Sequence, residues 1–457
     1  MKSRTKSDRA PDSESVESRE VRDTGRKFLD RETTGGLLLI AATVIALALG
    51  NSPWADAYHH LLRDEIVLGV FDHFTFRMTV EGWINDGLMS IFFLVAGMEL
   101  KREVLVGELS SLKKASMPLL GALGGMVVPA LVFVGFNLGT RNIDGWAIPM
   151  ATDIAYSLGI IGLLGKRVPA QLKVFLIALA IADDLGAILI IAIFYSEQIR
   201  WTYMGAGVGV FVALLACNHL GLRGLVWYVF GGVLLWYCFL SSGVHPSISG
   251  VLFAVAIPVK PGLDSEVFVR RAAKNVEGLK GANVESRSPF EDEVQRDLLD
   301  RMAKDSVRAS SPLLRMENAL VGVNALFIVP VFAVANAGVE LDVSVGSVLF
   351  GPLGMGIVVG LVVGKSVGVI SFVYAGKLLG FGELHESLRW GHVVGGGMIA
   401  GIGFTMSLFI TALAFGDPGL VKVSKIAVLV ASLISALGGA AALLSVHARG
   451  GSGRAPA

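Results

Sequence analysis

The sequence predicts an all-α polytopic membrane protein, and three observations carry that prediction. Of the 457 residues 53% are hydrophobic and 17% charged, with a mean hydropathy of +0.65, far more apolar sequence than one soluble core can bury. Apolar runs long enough to cross a hydrocarbon core of ~30 Å recur along the chain. The charges are segregated into the connections between those runs, with no basic stripe interleaved with aromatics, so the net charge of +1 gives no support to nucleic-acid binding.

Residues 1–33 are polar and charged and lack a short apolar core followed by a small-residue cleavage site, so they read as a disordered cytoplasmic tail. About twelve transmembrane helices follow, at residues 34–51, 82–100, 116–138, 145–165, 171–195, 202–220, 223–241, 244–259, 316–338, 350–376, 390–415 and 420–445. Spans 1–8 thus occupy 34–259 and spans 9–12 occupy 316–446, with a short tail at 447–457. Lys101, Arg102, Lys113 and Lys114 follow the second span, Lys166, Arg167 and Lys173 the fourth, Arg223 the sixth, Lys377 and Arg389 the tenth. Alternate connections are poor in base, which places both termini in the cytoplasm.

Two connections are long. Residues 52–80 fall outside and their mixed run 66–78 reads as a small extracytoplasmic hairpin; residues 260–315 fall inside as a charged loop. Val294, Leu298, Leu299 and Met302 have the spacing of a short amphipathic helix, but the charge density favours a solvated linker. Cys217 and Cys238 both lie within apolar runs, so neither a disulfide framework nor a cysteine metal site is expected.

The fifth span reads Ala-Ile-Ala-Asp-Asp-Leu-Gly at 180–186, which sets Asp183 and Asp184 side by side near mid-bilayer. Each charge there costs ~2.5–3.5 kcal/mol on insertion scales, so the pair points to an ion or proton site or, less demandingly, to an interhelical salt bridge. Lys365 lies too far from either end of span ten to snorkel, and Asp183 is its expected partner.

Two spans carry signs of interruption. Pro149 stands four residues ahead of Asp153 in span four, which opens the backbone just before Thr152 and Asp153 and frees carbonyls there. Span eleven has five glycines at 395–403, a density that permits either an unwound segment or close helix packing. The fourth span is the middle of spans three to five and the eleventh the middle of ten to twelve, the pattern of inverted repeats with a midplane site. Asp153 would balance the positive helix ends and Lys365 the negative ones.

Six motifs in order, Trp83-Ile-Asn-Asp-Gly-Leu-Met89 with Gly97-Met-Glu-Leu-Lys-Arg-Glu103, Ala151-Thr-Asp-Ile154, Ala182-Asp-Asp-Leu-Gly186, Ser242-Gly-Val-His245, Ala333-Val-Ala-Asn-Ala-Gly338 and Gly401-Ile-Gly-Phe-Thr-Met-Ser407, resemble the NhaA sodium/proton antiporters. The resemblance runs from about residue 35 to 444, apart from the central loop. It implies twelve spans with two interrupted, crossing helices (spans 4 and 11), in a bacterial inner membrane. It also implies electrogenic exchange of external protons for internal sodium or lithium, activated at alkaline pH. By motif, Asp184 is the principal cation ligand and Asp183 the second acid, paired with Lys365, while Thr152 and Asp153 line the crossing. Glu99, Asp86, His245 and Glu317 match positions tied to pH response or to the cytoplasmic funnel. Taken alone, Glu99 reads as a solvated helix end and His245 as a structural histidine.

The resemblance implies no cofactor, with sodium, lithium and protons as cargo, and partners limited to those ions, the bilayer and a second copy in a homodimer. Three departures stand out: a longer tail before Gly35, an expanded loop at 260–315, and no histidine directly after Glu317. An intramembrane aspartyl protease is disfavoured, because neighbouring helical residues point about 100° apart and cannot face each other as a dyad. A proton-coupled carrier of an organic substrate would call for aromatic or basic contacts that the Gly, Ala, Ile and Leu of the midplane stretches do not offer.

Overall fold

In the computed structural model, which describes residues 34–69, 75–196, 198–281, 293–342 and 345–451, helices account for nearly all of the regular structure. Each window read as a span coincides with helix. The first is α1 (Thr34–Gly50), which turns by 110° into the short α2 (Ala55–Arg63). The antiparallel strands β1 (Glu65–Gly69) and β2 (Thr75–Thr79) follow, Glu65 opposite Thr79 and Gly69 opposite Thr75, so the mixed run does form a hairpin.

A π-helical turn at Trp83–Leu88 leads into α3 (Met89–Val106), and α4 (Leu112–Asn137) follows. A 3-10 helix at Arg141–Met150 and α5 (Ile154–Leu164) form a second bent pair. Then come α6 (Ala170–Phe194), α7 (Trp201–His219), α8 (Leu225–Ser242) and the short α9 (Ser247–Ala256). Seven helices among the described residues are long and apolar enough to cross a membrane, ten spans if each of three bent pairs counts as one. The windows that fall short are α3, whose second half carries Glu99, Lys101, Arg102 and Glu103, and the ten-residue α9.

The central connection corrects the linker reading. It contains α10 (Ser265–Gly281) and α11 (Glu293–Ala309). They run antiparallel: Arg271 pairs with Asp305, Gly278 lies against Leu298, and the Arg308 carbonyl accepts from the N–H groups of Gly262 and Leu263. Leu298 and Met302 are half-buried while Val294 and Leu299 stay exposed, so the helices are joined mainly by this limited apolar contact, the ion pair and the backbone bonds.

After it come α12 (Pro312–Val323) and α13 (Val329–Ala337), joined by a π turn at Asn324–Ile328. The short α14 (Val345–Phe350) precedes α15 (Pro352–Val359) and α16 (Lys365–Leu378), themselves joined by a π turn at Gly360–Gly364. A third bent pair, α17 (Trp390–Ala400) and α18 (Phe404–Ala414), leads to α19 (Pro418–Gly451), longer than the expected final span and reaching into the residues read as a tail. The tail at 1–33 and residues 452–457 lie outside the described residues.

Two interrupted spans were expected and three bent pairs are found. The additional one, α1 with α2, turns at Asn51–Trp54, a stretch that contains Pro53 and precedes the amphipathic α2. The two expected breaks differ in cause. At Ala151–Asp153 the backbone is extended behind Pro149, which has no N–H to give the preceding turn. In the glycine run both readings hold in part. Gly395 and Gly396 stay helical and admit Leu443, Leu172 and Leu176, while the break falls at Gly401–Gly403.

The site is held by a close approach of α4 to α16. A Cβ on Gly124 would stand 2.2 Å from the Gly368 carbonyl, and one on Gly368 2.1 Å from the Gly124 carbonyl. Glycine at both positions lets these backbones meet, and the same approach brings Lys365 to the face of Gly125.

Candidate functional site

Two consecutive carboxylates on one helix serve different surroundings, because residues one apart on α6 point about 100° apart. Asp183 faces α16 and the first break. Its Oδ2 accepts from the fully buried Lys365 Nζ, which also donates to the Met150 carbonyl at the C-terminal end of the 3-10 helix. The Thr152 hydroxyl lies 2.6 Å from Asp183 Oδ2 and 2.9 Å from the Ala400 carbonyl, and with one proton it donates to one of them at a time. Lys365 thus answers both a carboxylate and a freed helix-end carbonyl, as the unpaired charge required.

Asp184 faces the other way, toward α3. It lines a cavity of about 10 Å³, the size of one water-sized sphere, together with Glu99, Leu100, Ile154, Leu185 and Val251. Asp184 is 3% exposed, and its Oδ1, like Asp183 Oδ1, has no hydrogen-bond partner among the described residues. A buried carboxylate oxygen without a donor is costly unless it takes a proton or a cation. Glu99 on the opposite wall corrects its reading as a solvated helix end, since it turns inward to the Asp184 cavity.

Asp153 joins the two breaks. Its Oδ1 caps α5 by accepting from Tyr156 N–H at 2.9 Å, and its Oδ2 accepts from both the N–H and the hydroxyl of Thr405, at 3.0 and 2.5 Å, in the first turn of α18. Its own N–H donates to the Ile402 carbonyl at 2.7 Å. One carboxylate therefore neutralises two half-helix N-termini, where backbone donors and partial positive charge are concentrated.

The remaining predicted residues, Asp86, His245 and Glu317, fall in two separate pairs, the second completed by Arg102. Asp86, in the π turn ahead of α3, stands 3.4 Å from His245 Nε2, and the His245 ring meets Phe409 of α18 edge-on at 5.1 Å. Glu317 of α12 pairs with Arg102 of α3 at 3.0 Å. Neither pair is joined by a hydrogen bond or ion pair to Asp183 or Asp184 among the described residues.

Three contributors were missed in the sequence. Thr405 lies in the Gly401–Ser407 motif, and the signal for it is a hydroxyl one residue past the N-terminus of a half-helix, a capping position. Arg102 was counted only as a loop charge, and its i+3 spacing from Glu99 was the available hint. Lys101, also counted for topology, donates to the carbonyls of Ala254, Val255 and Ile257 at 3.2, 2.6 and 2.6 Å and so caps the C-terminus of α9.

Hard monovalent cations take oxygen ligands, and this site offers carboxylates, a hydroxyl and freed carbonyls. Among the described residues no cluster of three or more His, Cys, Asp or Glu side chains is arranged for a resident metal ion.

Residues 26–443 match the family described as Na+/H+ antiporter 1. A protein of Christiangramia forsetii named Na(+)/H(+) antiporter NhaA is 59% identical over 430 residues, covering 94% of this chain and 96% of that protein. Helicobacter hepaticus has a relative named Na(+)/H(+) antiporter NhaA 2, 41% identical with 91% and 94% covered. A protein of Oleidesulfovibrio alaskensis named Na(+)/H(+) antiporter NhaA is 43% identical with 91% and 92% covered.

Proposed function

The chain belongs to the NhaA family of sodium/proton antiporters, membrane transporters rather than enzymes, and from that membership we propose that it exchanges protons for sodium across a bacterial inner membrane. The observation that carries the site assignment is the bare Asp184 carboxylate oxygen at the cavity wall beside the neutralised Asp183–Lys365 pair.

In this reading sodium or lithium enters from the cytoplasm and binds Asp184, with Asp183 Oδ1, Thr152 or a freed carbonyl completing the oxygen shell. Binding displaces the proton of Asp184, and as Asp183 turns from Lys365 to the cation the Lys365 ammonium gives up a proton. The site then opens to the outside, the cation leaves, external protons reload, and the cycle reverses. Because two acids answer one monovalent ion, more than one proton moves per sodium and exchange is electrogenic. Twelve spans with both termini in the cytoplasm, the two breaks crossing at the site, and assembly as a homodimer complete the proposal.

Alkaline activation is assigned to the pairs between helices. Asp86–His245 reaches Phe409 of the second broken span, and Arg102–Glu317 ties α3 to α12. In this reading both pass a change of charge to elements flanking the site. The organic-substrate carrier and the aspartyl protease find no support in the relatives.

The test is intravesicular pH in energised everted vesicles from an antiporter-deficient host, with sodium, lithium or potassium added at several pH values. Dequenching by sodium and lithium but not potassium, rising toward alkaline pH and lost in a membrane-inserted Asp184→Asn variant, is the expected result. Retained exchange in that variant moves the site elsewhere, and no response to any of the ions at any pH removes the antiport reading.

A further inference from the structure

Ser157 and Ser407 occupy the same place in the two broken spans that flank the site. Asp153 is the N-cap of α5 and Gly403 the N-cap of α18, and each serine lies four residues beyond its cap. Each serine N–H closes the first helical turn onto its cap carbonyl, at 3.0 Å for Ser157 and 2.8 Å for Ser407.

The hydroxyls do something else. A serine within a helix commonly donates back to the carbonyl four residues earlier, as Ser90, Ser366 and Ser371 do here. Ser157 instead donates to the Ile399 carbonyl near the end of α17, at 3.2 Å, and Ser407 to the Ile148 carbonyl near the end of the 3-10 helix, at 2.7 Å. The second half of each broken span is therefore fastened to the first half of the other. All four residues are buried.

We infer that Ser157 and Ser407 are a reciprocal pair of positioning residues that hold the two breaks in register, so that the cation-site geometry at either break depends on both hydroxyls. Ile399 precedes Ala400, whose carbonyl meets the Thr152 hydroxyl, and Ile148 lies two residues before Met150, whose carbonyl accepts from Lys365. Each serine thus fixes backbone within two residues of a group that touches or neighbours Asp183. With one fastening gone the breaks remain joined by Asp153 and Thr152 but shift against each other, which misaligns the bond of the other serine. The inference rests on the antiport reading of this site.

The experiment measures half-saturating sodium in everted vesicles, and melting temperature of purified protein, for Ser157→Ala, Ser407→Ala and the double variant. Each single change is expected to raise half-saturating sodium roughly threefold to tenfold, the scale of one lost hydrogen bond. The double variant is expected to be no weaker than the worse single. A double variant equal to the product of the two fold-changes overturns the coupling, since residues acting independently add in free energy. So does a loss of melting temperature with half-saturating sodium unchanged, which is what a merely structural role gives.

Ser157→Thr keeps the hydroxyl beside a cavity of about 10 Å³ lined by Thr152, Ser157 and Ala400, and is expected to restore wild-type half-saturation; failure to do so counts against the assignment. Should Ser407→Ala not insert, Ser407→Cys, similar in size and a weaker donor, takes its place in the cycle. Wild-type vesicles without exchange would remove the antiport reading alone. Coupling is then read from the melting temperatures, where non-additive losses support it and additive losses overturn it.

Discussion

Replacing Lys365 by alanine is expected to destabilise the protein strongly, and removing its partner as well is expected to recover much of the loss. Lys365 and Asp183 are both 0% exposed and hydrogen-bonded to each other. At a hydrogen-bonding separation of ~3 Å and an effective dielectric of ~20 their attraction is ~5 kcal/mol, which offsets part of the several kcal/mol that burying each charge costs. Lys365→Ala strands the Asp183 carboxylate and the Met150 carbonyl, a loss of ~3–5 kcal/mol. Three lost methylenes packed near Gly125 add ~2 kcal/mol at ~0.8 each. Adding Asp183→Asn removes the stranded charge, so the double variant should regain ~3 kcal/mol and leave mainly the packing loss. The assay is thermal unfolding of the detergent-purified proteins, with membrane levels measured alongside. Lys365→Ala should melt lowest and the double variant between it and wild type. A double variant melting at or below Lys365→Ala, or Lys365→Ala melting with wild type, refutes the buried pair.

Thr405→Val removes one of the donors on the buried Asp153 carboxylate, so it should cost ~1–3 kcal/mol in unfolding free energy while Thr405→Ser costs little; equal stability of Val and Ser variants would mean the hydroxyl is not needed. Glu317→Ala leaves Arg102 without the partner it has at 3.0 Å, and is expected to displace the pH profile of exchange more than its maximum, a distinction that rates measured across pH will decide. Gly124→Ala or Gly368→Ala forces apart backbones that leave no room for a methyl; both should lower melting temperature and raise half-saturating sodium by moving Lys365 and Asp183 apart, and a tolerated alanine at either would show that the helices yield.

What was legible in the sequence was legible because its cost is local. Asp183, Asp184 and Lys365 stand out because a charge inside an apolar run is unfavourable whatever surrounds it. Pro149 announces the first break because a proline removes a hydrogen bond from its own helix. The glycine run was ambiguous for the matching reason: low helix propensity says a break is cheap but not where it falls. Packing of Gly395 against Leu443 and of Gly396 against Leu172 and Leu176 keeps that part helical and leaves Gly401–Gly403 to open. The central segment is helical where its charge favours a linker because α11 lies against a second helix, with Leu298 at Gly278 and Asp305 at Arg271, and that pairing is not visible in either stretch alone. The π turns at Trp83–Leu88, Asn324–Ile328 and Gly360–Gly364 left no signal that was recognised.

By itself the sequence determined the class of the protein, the stretches that form helix, the presence of two carboxylates in an apolar run with a cation to answer them, and the family. Only the tertiary structure decided that Asp183 takes Lys365 across 182 residues, that Asp184 is left facing Glu99, and that Asp153 joins both breaks through Thr405. Transfer and propensity energies are sums along the chain and can be read in order, whereas a partner is chosen by distance and direction in the folded molecule. Those depend on close approaches such as that of Gly124 to Gly368, which no stretch of sequence encodes alone.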